Sequence, residues 1–418
     1  MADTGWEPLR APRETPSGPG GQNQIGHLGS PAFARLALTH ALVMAGDTLI
    51  TLALAGSLFF SISPTAARSR VVLSLLLTMA PFAVVAPVLG PAIDRARRGK
   101  RVMVVTSAAG RVIVCLAMSR VVDSLLLFPT AFAALVLSKA YSVAKSALVP
   151  ASVQGHEELV EANSKLAIGG VVAGFVASVP AVALLHFAGA RPVLVLAGSV
   201  FAVAAVAGLR VIEEPATVGF PADDGSAEAA RPAHVVLASF GMAVLRGIVG
   251  FITFLVAFDF RRADAPSWWF GVVLAASMAG TMLGSFVAPR IRRTAGEERM
   301  LMGSLLVVGA LAALSSGSPG RASAAVLAGV VGVAASVAKL AFDALVQRDA
   351  PGREHGRSFA RFEATFQLAW VAGALVPSGL DVDLDVGFAL IAVAAIAMTV
   401  ATIVLGRPRR PGRAAIQS

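Results

Sequence analysis

The sequence predicts an all-α polytopic membrane protein: twelve transmembrane helices in two six-helix bundles. Three observations carry that prediction. Hydrophobic residues make up 56% of the chain, charged residues only 14%, and mean hydropathy is +0.75; a soluble domain carries about 25% charged residues. The apolar residues fall into runs of roughly 20, the length that crosses the hydrocarbon of a bilayer. A single long polar interruption divides these runs six and six.

Taken in order, residues 1–32 are rich in Pro, Gly and polar residues, with no early apolar core and no cleavage-site pattern. A disordered cytoplasmic tail is expected there, not a signal peptide. Apolar runs over 33–60, 70–90, 102–122, 124–149, 166–188 and 190–210 form a first bundle, 33–210. Residues 211–233, from Val211 through Glu213, Glu214 and Pro215 to Ala233, read as a cytoplasmic linker. Runs over 234–260, 268–289, 299–316, 321–346, 358–379 and 384–405 form the second bundle, 234–405. Residues 406–418 are a basic cytoplasmic tail suited to lie against anionic headgroups.

The net charge of +10 raises the question of nucleic acid, but its placement answers it. With the N-terminus inside, only Arg68, Arg70, Arg120, Arg191, Arg261, Arg262 and Arg321 fall on outer loops, and Arg111, Lys139, Lys145, Arg246 and Lys339 lie within spans. The other lysines and arginines are cytoplasmic, which is the positive-inside bias. Both termini are therefore expected in the cytoplasm of a cell-membrane protein, and no nucleic-acid partner is expected. The single cysteine, Cys115, lies inside a span and excludes a disulfide framework or a Cys-based metal site. No phosphate loop, metal-spaced His pair or nucleophile elbow is present, so neither an enzyme nor a cofactor is expected.

The halves echo one another. Val88-Leu89-Gly90 before a basic loop corresponds to Met282-Leu283-Gly284 before Arg290, Arg292 and Arg293; Ser146 to Pro150 corresponds to Asp343 to Gln347; Gly174 and Pro180 correspond to Gly373 and Pro377. A six-span internal repeat is the pattern of a two-bundle transporter with its site between the halves.

Several residues are candidates for chemistry. Asp47 lies about twelve residues into the first span, roughly 18 Å of helical rise, near the bilayer midplane. A charge there costs a contested ~2.5 kcal/mol or more and faces a cavity or a partner. Proton or substrate handling is one reading, and a structural bond to a neighbouring helix is the other. Arg246 stands equally deep in the seventh span and is expected near Asp47. A pair that breaks when Asp47 is protonated would be a switch, although static packing fits the sequence equally. Arg111 and Lys139 are too deep to snorkel freely and call for a cavity or an acidic partner. Lys145 and Lys339 lie nearer the cytoplasmic ends, and Lys339 has Asp343 four residues on, an i,i+4 ion pair. Tyr141, the only tyrosine, reads as packing. The cavity's basic residues outnumber its one deep acid, which points to anionic or neutral cargo.

The loop Gly90-Pro91-Ala92-Ile93-Asp94-Arg95-Ala96-Arg97-Arg98-Gly99-Lys100-Arg101 joins the second and third spans. Its turn glycine, lone aspartate and arginine cluster resemble the loop signature of the major facilitator superfamily, and the resemblance extends over roughly residues 33–405. It implies that the loop aspartate contacts the start of the eleventh span and latches the cytoplasmic side. Here that latch would be Gly90, Asp94, Arg95, Arg98 and Arg101 against the Ser358–Glu363 end. The second-half copy has Ala288-Pro289 instead, so only the first copy is expected to latch. Gly46-Asp47, the run from Ala147 to Ser164, and Gln347-Arg348-Asp349-Ala350-Pro351 resemble the bacterial macrolide and enterobactin exporter branch. Ser178-Val179-Pro180 stands where antiporters of the superfamily carry a Gly-Pro step.

The expectation is thus a monomeric secondary transporter that moves a small amphiphilic or drug-like molecule outward in exchange for protons. Asp47 would be the proton site, and Arg246, Arg111 and Lys139 would line or gate the cavity. Its partners are the substrate, protons and the lipid bilayer. A lipid flippase or importer of the same fold, and a non-transporting membrane scaffold, are the rivals.

Overall fold

The structure is a computed structural model that describes residues 30–58, 99–124, 126–153, 158–211, 231–266, 268–349 and 355–405. The second expected span (70–90), the loop residues Gly90, Asp94, Arg95 and Arg98, most of the 211–233 linker and the tails lie outside the described residues.

Among the described residues the chain forms eleven α-helices. They are α1 Pro31–Leu58, α2 Gly99–Arg120, α3 Leu127–Leu148, α4 Leu159–Ala188, α5 Ala190–Gly208, α6 Arg231–Arg262, α7 Trp268–Arg292, α8 Glu297–Ser316, α9 Arg321–Asp349, α10 His355–Gly379 and α11 Leu384–Leu405. A helix satisfies its own backbone, which the hydrocarbon requires. Ten of the eleven are long and apolar enough to cross a membrane. Against expectation, α4 begins at Leu159 instead of residue 166, because Glu161, Asn163 and Lys165 extend the helix beyond its apolar stretch. Gly189 alone separates α4 from α5; its φ of 78° gives the chain a left-handed reversal that favours glycine.

Helices on the two sides of the linker pack in matched pairs. The contacts of α1 with α4 and α5 correspond to those of α6 with α10 and α11; α2 with α3 and α5 corresponds to α8 with α9 and α11. Glycines set the closest approaches. A Cβ on Gly373 would run into the Gly247 carbonyl oxygen between α6 and α10, and one on Gly280 into the Gly329 carbonyl oxygen between α7 and α9. Such small-residue contacts let helix backbones touch where no hydrophobic effect drives them together. Outward faces carry Phe175, Val176, Val179 and Phe187 on α4, exposed as a lipid-facing surface would be.

The halves meet through α4 against α7 and α9, and through α3 against α10. At the end where α3 stops and α4 starts, Asn163 Nδ2 donates to Gln347 Oε1 (2.7 Å) and Gln347 Nε2 donates to the Ser146 carbonyl (3.0 Å). Ser164 Oγ donates to the Ser285 carbonyl beside them. This polar seam ties the halves at the end expected to face the cytoplasm.

Candidate translocation site

The first half has a polar centre built from four helices. Asp47 on α1 accepts from Ser138 Oγ of α3 (3.1 Å) and stands 3.4 Å from Nη1 of Arg111 on α2. The two partners differ in access: the Arg111 side chain is 0% exposed and that of Asp47 is 25%. The guanidinium lies 5.0 Å from the Phe201 ring centre and 5.7 Å from that of Tyr141, with cation–π attraction to both. Phe201 of α5 fits there because Gly46 has no side chain; a Cβ at that position would lie 2.6 Å from the ring. Tyr141 is buried and its hydroxyl meets Nδ1 of His40 at 3.1 Å.

The second half holds a complementary cluster. Lys339 Nζ lies 2.6 Å from Asp343 on its own helix α9 and 2.6 Å from Glu363 on α10. Arg246 of α6 and Lys139 of α3 are within electrostatic reach of Glu363, and Lys139 is also in reach of Asp47. Lys145, one helical turn and a half further along α3, feels Asp343, Lys339 and Glu363. Charge is therefore continuous from Asp47 through Lys139 to Glu363, across the boundary between the halves.

One expectation needs correction. Asp47 pairs with Arg111 and not with Arg246: α1 packs on α4 and α5 while α6 packs on α10, so equal depth does not bring the two side chains to one face. Glu363, expected as the latch partner, lies 2.6 Å from Lys339, and the loop residues Gly90, Asp94, Arg95 and Arg98 that it would meet are outside the described residues. Arg101 lies half-buried in the first turn of α2, and the rest of the loop is outside the described residues. The local Lys339–Asp343 pair is present.

Sequence reasoning missed His40, Ser138 and Phe201. A signal existed for the first two: His40 is two helical turns before Asp47, and Ser138 is one turn before Tyr141, each on a shared face. It also missed a charge knot at the foot of the second half. Buried Glu297 accepts from Arg292 Nε (2.8 Å) and Arg348 Nη1 (3.0 Å), while Arg348 also bonds Asp349. The second-half loop is thus fixed by a glutamate at a helix start, where a carboxylate also faces the positive end of the helix dipole.

The model of the family described as "Major Facilitator Superfamily" matches residues 36–374. An uncharacterized protein of Mycobacterium leprae is 30% identical over 383 residues, covering 82% of this chain and 66% of its own length. An uncharacterized Mycobacterium tuberculosis protein is 30% identical over 398 residues, covering 86% and 71%. Among solved structures, a bacterial homologue of the iron transporter ferroportin in its outward-facing state superposes with a TM-score of 0.70 at 17% identity, over 90% of this chain and 100% of that one. The Escherichia coli fucose:proton symporter gives 0.66 at 12% identity, over 90% and 98%. A human organic anion transporter gives 0.67 at 13% identity, over 89% and 99%. At these identities the three structures establish the fold.

Proposed function

We propose, from the premise that this chain belongs to the Major Facilitator Superfamily, that it exports a small amphiphilic or drug-like molecule across the cytoplasmic membrane in exchange for protons. The family makes it a multi-pass secondary transporter and not an enzyme. One observation carries the proton reading: a partly accessible carboxylate, Asp47, is the counterion of a fully buried arginine. Protonating Asp47 strands the Arg111 charge. Removing one partner of a buried pair costs about 3–5 kcal/mol, enough to favour a rearrangement that gives the guanidinium another anion or water. Lys139 and Arg246, beside the same axis, would sense that change and gate the cavity.

With the N-terminus inside, the Asn163–Gln347–Ser146 seam would hold the cytoplasmic end closed. The loop Gly90, Asp94, Arg95, Arg98 and Arg101 would reinforce that closure from the first half. The macrolide and enterobactin exporter branch supplies the first substrates to try, and a monomer with cytoplasmic termini is the working state.

The test is compound accumulation in efflux-deficient cells that hold equal membrane levels of wild type or Asp47→Asn, over hydrophobic antibiotics and siderophores. Wild type is expected to lower accumulation of at least one compound, and both the substitution and an uncoupler to abolish the effect. Undiminished export by Asp47→Asn would remove Asp47 as the coupling residue. No change for any compound would remove the export reading.

A further inference from the structure

Hydrogen bonds do not hold Arg111 in place. Its Nε, Nη1 and Nη2 are buried and have no hydrogen-bond partner among the described residues. Asp47 stands 3.4 Å from Nη1, beyond the range of about 2.7–3.2 Å that such bonds occupy. The place of the guanidinium therefore depends on the two rings beside it, Phe201 and Tyr141. Attraction of a cation to a ring acts only within about 6 Å of the ring centre, so each ring has to be kept where it is.

The two rings are kept in different ways. Phe201 is fixed by packing: it is fully buried, in the room that Gly46 leaves. Tyr141 is fixed by a bond. Among the described residues its buried hydroxyl makes one hydrogen bond, at 3.1 Å to Nδ1 of His40, and the two ring planes are 9° apart. A buried hydroxyl needs an acceptor, and Nδ1 supplies one when the ring hydrogen sits on Nε2. His40 is itself buried and is backed by α4 at a glycine: a Cβ on Gly170 would stand 3.3 Å from Nε2 and 2.9 Å from Met44.

His40 and Asp47 lie seven residues apart on one face of α1, and Tyr141 and Ser138 three apart on α3. Side chains of α1 thus bond α3 twice, Asp47 to Ser138 and His40 to Tyr141. The first contact includes the carboxylate whose charge changes in the proton reading; the second does not. Arg111 meets Tyr141 through the ring and not the hydroxyl, so among the described residues no hydrogen-bonded path joins His40 to Asp47. The titratable groups that face this contact are Arg111 on α2 and Tyr141 and Lys145 on α3, while α4 and α5 present Gly170 and Phe201.

We propose that His40 is a positioning residue for the coupling pair. By accepting from Tyr141 it keeps the tyrosine ring on Arg111, and Arg111 beside Asp47, while the charge on Asp47 changes. This rests on the proton reading of Asp47 above and adds the residue that fixes its geometry. Without the bond, ring and guanidinium move together when Asp47 is discharged, and the change is absorbed locally.

Tyr141 is the only tyrosine in the chain, so the purified full chain labelled with carbon-13 at tyrosine Cζ gives one resonance for this hydroxyl. Wild type and His40→Asn, whose side-chain oxygen keeps an acceptor but cannot carry a proton, are expected to share a hydrogen-bonded position. His40→Leu and His40→Phe, which have no acceptor, should move it; one of the two that elutes as folded protein suffices. Taking wild type and His40→Asn from mildly alkaline to mildly acidic pH should displace the resonance as Asp47 gains its proton. Asp47→Asn should abolish that displacement, and the acceptor-free variants should at least halve it. An unmoved resonance or an undiminished pH response in the acceptor-free variants, or a response lost in His40→Asn, would overturn the positioning role. A wild-type resonance indifferent to pH and to Asp47→Asn would instead remove the proton reading, while a resonance moved in the acceptor-free variants would still assign the place of Tyr141 to His40.

Discussion

Asp47 and Arg111 are unequal partners. The arginine is sealed between two aromatic rings, and the aspartate side chain is 25% exposed. An arginine stays protonated in a protein, so its charge is the fixed quantity and the aspartate's the variable one. This asymmetry predicts a double-mutant result. Asp47→Asn should lower the Tm of the purified protein by several degrees, because it leaves Arg111 buried without a counterion. Asp47→Asn with Arg111→Gln should recover more than half of that loss yet transport no better than the single variant. Recovery of transport together with stability would mean that the pair is structural. The individual charges were legible in the sequence because a charge in an apolar run is conspicuous. Their partners were not: pairing depends on each helix's rotation about its axis, which the apolar runs leave undefined. That is why Arg246 looked like the partner of Asp47 and Arg111 was the one found.

At the scale of helices, the structure follows the apolar runs closely, since the hydrocarbon thickness fixes their lengths. The exceptions are ends such as that of α4, where polar residues continue a helix past the membrane core. The repeat was visible in the sequence as Gly174 and Pro180 against Gly373 and Pro377, and those residues lie in helices that make corresponding contacts, α4 on α1 and α10 on α6. Gly373 is the tightest of them, and its neighbour is backbone that cannot move aside. Gly373→Leu is therefore expected to separate α6 from α10 and to reduce folded protein in the membrane severalfold, measured by size-exclusion fluorescence of a tagged chain. Gly169→Leu, where open space awaits a side chain, should leave the yield near wild type. Equal yields of the two variants would contradict close helix packing at Gly373.

For the whole molecule, the two halves are joined by a polar seam at one end and by a run of charges near the middle. Opening that end requires breaking the Asn163–Gln347 and Gln347–Ser146 bonds together, and individual hydrogen bonds contribute only about 0.5–1.5 kcal/mol net. A change in charge at Asp47 is of comparable or greater size, which is what the proposed proton coupling requires. The central claim is that a proton gradient drives substrate movement through Asp47. The most direct measurement is substrate flux in proteoliposomes of purified protein under an imposed pH difference, using a compound identified in cells, for wild type and Asp47→Asn. Coupled flux should appear only with wild type, follow the direction of the pH difference and vanish when the gradient is collapsed. Flux indifferent to the gradient, or equal in the two proteins, would contradict the account.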